Sequence, residues 1–158
     1  MSNFAKIVLQ LSKKFDFNYL SKYRMPTEDY LLKYLEKLNY AIAAMLGLRE
    51  KGFPEDALKM ADETYRELLH YDLKELTVMP IEKFIETIRQ RNYNISILNL
   101  LSQITHETAT SFEADHQTKT AKIFYLKSLE LYHLLNEKDK TFSFEREIRI
   151  EELKNKLS

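Results

Sequence analysis

The chain has 158 residues, the size of one ordinary domain, with 44% apolar and 30% charged side chains. Its 24 basic residues are balanced by 24 acidic ones and it holds no cysteine. That disfavours general nucleic-acid binding, which needs a basic surplus to release counterions, and excludes disulfides, thiol nucleophiles and thiolate metal sites. Two glycines and three prolines are too few for a sheet with many tight turns, and favour long helices joined by short loops. The charge is uneven: residues 1–26 carry +4 and the remainder −4. This predicts a basic N-terminal arm, 1–26, packing on a single acidic domain, 27–158. No stretch is apolar for long enough to span a bilayer, so the expectation is a cytoplasmic protein.

Hydrophobic periodicity then predicts about seven helices. Phe4, Ile7, Val8, Leu11 and Phe15 form a stripe with Lys6 and Lys13 opposite, giving a short amphipathic helix over 4–15. Thr27 caps a long second helix on Leu31, Tyr34, Leu35, Leu38, Ile42, Met45 and Leu46, which Gly52 stops in the left-handed conformation. Both glycines, Gly47 and Gly52, read as helix-ending. Pro54 opens a third helix, carried by Ala57, Leu58, Ala61, Tyr65, Leu68 and Leu69. The stretch 72–79 reads as a connector. Pro80 opens a fourth helix on Ile81, Phe84, Ile85 and Ile88, which Asn92-Tyr93-Asn94 interrupts. A fifth follows on Leu98, Leu101, Ile104, Thr108 and Phe112. A sixth covers roughly 118–136 on Ala121, Phe124, Tyr125, Ser128, Leu129, Tyr132 and Leu135. The last starts from Thr141 or Ser143 and faces inward through Phe144, Ile148 and Leu153.

Two segments echo each other. Ala57 and Ala121, 64 residues apart, are small residues early in a second helix, where they let the two helices of a hairpin approach closely. The run AKIFYLKSLELY (121–132) resembles the second helix of a tetratricopeptide repeat, and KGFPEDALKMADETY (51–65) resembles the turn and helix of another. The repeat's Trp is missing, and Leu46-Gly47 falls two residues late. Over 27–157 the chain is similar to a bacterial family of tetratricopeptide-like helical proteins with no assigned activity, through Asp29–Leu58 and Lys140–Leu157. The resemblance implies an all-α fold. Two hairpins are too few for an open solenoid, so they should be closed into a compact bundle by the first, fourth and last helices.

Transferring the repeat's groove positions onto the two hairpins implies a partner-binding face. It comprises Asn39, Ile42, Ala43, Leu46 and Arg49 in the first, and Gln103, His106, Glu107 and Thr110 in the second. Ile42 and Leu46 stand where the carboxylate-clamp version has Lys and Asn, which disfavours capture of a peptide C-terminus, while Arg49 suits an acidic group. Other chemistry is thin. No glycine cluster cradles phosphate. His106-Glu107 begins a zinc-protease motif, but Thr110 stands in the second histidine's place. Glu67/His70 and Glu113/His116 have the spacing of di-metal carboxylate bundles, although helical geometry turns Glu67 and His70 away from the core face of their helix and into solvent. No catalytic residue, metal or cofactor is therefore expected. The leading reading is a non-enzymatic interaction module for a protein or peptide partner, possible also as a homo-oligomer. The alternatives are peripheral membrane attachment or self-association through helix 4–15, and a di-metal protein. The same face assignment predicts that Leu68→Asp unfolds the domain while Glu67→Ala does not.

Overall fold

In the computed structural model, which describes residues 27–158, seven helices follow one another. They are α1 (Thr27–Glu50), α2 (Pro54–Leu69), α3 (Leu73–Val78), α4 (Ile81–Arg91), α5 (Ile95–Ala114), α6 (Thr118–Lys138) and α7 (Phe144–Leu157). No strand occurs among the described residues. The expected arm and helix 4–15 lie outside them.

Two turns built the same way set the architecture. Gly52 takes φ +87°, its N–H bonds to the Arg49 carbonyl (3.0 Å), and the Phe53 N–H reaches back to Leu48 (2.8 Å). This is the paired left-handed cap that satisfies the last carbonyls of a helix. Sixty-four residues on, His116 takes φ +63°, its N–H bonds to Glu113 (3.0 Å), and the Gln117 N–H reaches Phe112 (2.9 Å). Each turn folds a long helix back on the next, giving hairpins α1–α2 and α5–α6. Ala57 and Ala121 are buried just beyond the turns, as close helix approach requires.

Helix α5 lies against both α1 and α2, and α6 packs along α5 while carrying α7, α4 and α3 on its other sides. Small polar residues let α5 occupy this central place. Ser102, Thr105 and Thr108 are fully buried and return their hydroxyls to the carbonyls four residues back, at 2.7–2.9 Å. The Tyr65 hydroxyl closes on Thr108 at 2.9 Å, so α2 is tied to α5 through a satisfied polar contact in the core. Around it, Phe124 lies 6.4 Å from Tyr65 and stacks on Phe112 at 5.3 Å, between ring centroids. Each large apolar side chain fully buried here contributes roughly 2 kcal/mol.

Most of the expected faces are the buried ones; the exceptions are informative. Residues 73–78 are a helix, α3, because Asp72 and Glu75 form a reciprocal capping box at 2.7 and 3.1 Å. Gly47 lies inside α1, which runs on to Glu50. Leu46 is exposed, and the core side of α1 instead includes Ala41, Ala44 and Leu48. On α7 the register is turned: Phe144 (70% exposed) and Ile148 face outward, while Arg146, Ile150 and Leu153 are buried. The reason is Arg146, whose guanidinium holds Asn136 (3.0 Å) and Asp139 (2.9 Å) at the end of α6 and so rotates the 146/150/153 face inward.

Candidate functional site

A cavity of about 310 Å³ opens between α1, α5 and α7. It is lined by Ile42, Leu46 and Arg49 from α1, by Gln103, His106, Glu107 and Thr110 from α5, and by Arg149 from α7. The helical period explains the set: 42, 46 and 49 share one face of α1, as do 103, 106, 107 and 110 on α5. A second cleft of about 540 Å³ between α5 and α7 shares Gln103 and Arg149 with the first. The two form one groove along α5. Asn39 does not line it; its amide is exposed and donates to the Leu35 carbonyl one turn back at 3.1 Å. Ala43 is also exposed, outside the lining.

An ion pair ties the two hairpins at the groove floor. Arg49 Nε donates to Glu107 Oε1 at 2.6 Å, with both side chains largely shielded. The Glu107 carboxylate, by accepting that bond, raises the Arg49 pKa against a smaller opposing effect of burial. Beside it, burial pushes His106 down to about 4, with Arg149, Arg49 and Lys156 adding to the shift and Glu152 opposing it. The imidazole is therefore neutral at pH 7 and lies edge-on to Tyr125, 5.9 Å between centroids. Tyr125 in turn donates to Glu113, which also accepts from Lys156 Nζ at 2.9 Å. Burial and that bond push the Tyr125 hydroxyl up to about 12. The result is a groove with a neutral imidazole, a locked Arg–Glu pair, and apolar (Ile42, Leu46) and hydrogen-bonding (Gln103, Thr110) surface.

Arg149 and Tyr125 are the site residues that sequence reasoning missed. Tyr125 falls on the core stripe of α6, which conceals its hydroxyl's role, and the inverted register of α7 conceals Arg149. The 146/150/153/157 spacing would have revealed that register had an arginine been admitted to the buried face.

The other candidate constellation is dispersed. Glu67 is half-buried rather than free in solvent, and forms an ion pair with buried Lys37 on α1. Glu113 is engaged as described, and His70 and His116 are exposed in left-handed positions at helix ends. Among the described residues no three acidic or histidine side chains gather as a metal cluster, and none of the described helices is long and apolar enough to cross a membrane. Compared with family models, with curated proteins and with solved structures, the chain matches none of them.

Proposed function

We propose that this protein is a non-enzymatic, tetratricopeptide-like interaction module of the cytoplasm that holds a peptide or helix of a protein partner in the groove between α1, α5 and α7. The observation that carries the reading is the convergence of Ile42, Arg49, Gln103, His106, Glu107 and Thr110 on one cavity. These side chains come from two segments far apart in sequence, and the first helix of each hairpin supplies them. Packing of α5 on both α1 and α2 supports it, because successive hairpins must stack in that way to leave a shared concave face. The groove suits contact more than reaction: its carboxylate and its innermost guanidinium neutralise one another, and its imidazole, pushed down to about 4, is a weak base packed against a ring.

The test is capture of partners by the tagged full chain from lysate of its native cell, analysed for proteins, metabolites and metals. The groove variant is Leu46→Arg/Gln103→Lys, which blocks the lining while leaving the Arg49–Glu107 pair in place. Lys122→Glu, on the exposed side of α6, serves as control. A protein held by the wild type and the control but lost by the groove variant supports the module. A partner held equally by all three, or a stoichiometric metal or metabolite with no protein, overturns it.

A further inference from the structure

A second groove lies on the opposite element pair, between α4 and α6, with a volume of about 390 Å³. Its floor is apolar: Ile81 and Ile85 from α4, and Leu126 from α6, which is 40% exposed. Its rim is acidic, with Glu82, Glu86 and Glu130. The single basic residue of the lining, Arg89, is taken by Glu137 at 2.9 Å. An exposed apolar strip with acids on its borders calls for an occupant that is apolar along one side and basic on its flanks.

The chain carries such a segment. Phe4, Ile7, Val8, Leu11 and Phe15 recur at helical spacing, with Lys6, Lys13 and Lys14 off that stripe, in a stretch whose charge of +4 is opposite to that of residues 27–158. The tether allows it. The end of α4 is fixed to the end of α2 by the Arg91 guanidinium donating to the Leu69 carbonyl at 2.8 Å, and α2 is joined to the first half of α1 through Glu67 and Lys37. From the start of α1 to Tyr34, which interacts electrostatically with Tyr93 and Arg91, is about 10 Å along the helix, and from Arg91 back to Ile85 about 9 Å more, so with one helix-to-helix step of about 10 Å the path is near 30 Å. The eleven residues 16–26 can reach up to about 36 Å. The cleft between α5 and α7 is a poorer match, because Arg146 and Arg149 in its wall pair with Asp139 and Glu152 and leave it nearly balanced in charge.

We propose that residues 4–15 dock in the groove between α4 and α6, their apolar stripe on Ile81, Ile85 and Leu126 and their lysines against Glu82, Glu86 and Glu130. This stands independently of the function proposed above, since neither the groove residues nor the segment are shared with it.

The absence of cysteine makes the test clean. In the full-length chain, Leu11→Cys/Ile85→Cys should close an intramolecular disulfide under mild oxidation. Leu11→Cys/Ile148→Cys, which aims at the exposed apolar face of α7 instead, should close at least about tenfold more slowly, because only the tether's effective concentration assists it. Adding Glu82→Lys/Glu86→Lys to the first pair should slow closure, as should raised salt. In the chain without cysteines, the same two charge reversals should speed tryptic cutting after Lys13 and Lys14. Equal closure of the two pairs overturns the proposal, as does a disulfide formed mainly between two copies in dilute solution. Closure and cutting rates unmoved by the charge reversals overturn it as well.

Discussion

At the scale of single residues, the groove's imidazole makes the most direct prediction. His106 is held at about 4, below its ordinary 6.5, first by burial and then by Arg149. A histidine whose folded pKa is lowered contributes stability that is complete above its unfolded value and is lost as pH falls through the folded one. Between pH 6.5 and 4 the domain should therefore lose up to about 3 kcal/mol from this group. His106→Gln should flatten that part of the stability-against-pH curve, measured by urea unfolding. The two hairpin turns supply a matched pair of tests. Gly52 has open space around its missing Cβ, yet its φ of +87° strains any other residue, so Gly52→Ala should cost about 1 kcal/mol. His116 already bears that strain at φ +63°, and His116→Gly should raise stability by up to about 1 kcal/mol.

Individual helices obey local rules until a neighbour overrides them. Helix α3 has only six residues, too short to persist by propensity, and its capping box at Asp72 does much of the holding. Asp72→Ala should cost about 1 kcal/mol, with faster amide exchange confined to residues 73–78. On α2 the expectation about Glu67 changes. Leu68 is buried, and Leu68→Asp should unfold the domain, since an unpaired buried carboxylate costs several kcal/mol of a marginal total. Glu67→Ala, expected from the sequence to leave the domain folded, removes the carboxylate that buried Lys37 faces and should cost roughly 2 kcal/mol. Glu67 lies on the solvent side of its own helix, as the 3.6-residue period requires, but α1 reaches over to meet it. Equal melts for Glu67→Ala and wild type would show that the pair contributes nothing.

At the scale of the molecule, the described residues form two hairpins closed off by shorter helices. Helix α7 is the piece whose loss discriminates between a lid and a foundation. It buries Ile150 and Leu153 against α6 and anchors Arg146 to Asn136 and Asp139. Ending the chain after Asp139 should cost about 3–5 kcal/mol, mostly from these buried apolar side chains. Circular dichroism should show the remaining helices intact below a lowered melting temperature. On the function proposed above, the truncated chain should also fail to hold its partner, because Arg149 forms one wall of the groove. A truncated chain that melts with the full-length one would mean that α7 adds no net stability.

The sequence by itself determined six of the seven described helices, all but α3, and where the first hairpin turns. Apolar spacing, Gly52, Pro54, Asn94 and Ser143 act through the local backbone and the nearest turn, and local rules can be read from local residues. The buried faces of α2, α5 and α6 follow in the same way, because the stripes are wide and uninterrupted. Seven of the eight residues that line the cavity could be named by carrying the tetratricopeptide groove positions, which the resemblance implies, onto the two hairpins. Only the tertiary structure decided the outward turn of Phe144 and Ile148, the pairing of Glu67 with Lys37, and the entry of Arg149 into the groove. Each depends on a charged side chain meeting a partner from a distant helix, and periodicity, which counts apolar residues along one helix, carries no information about that meeting.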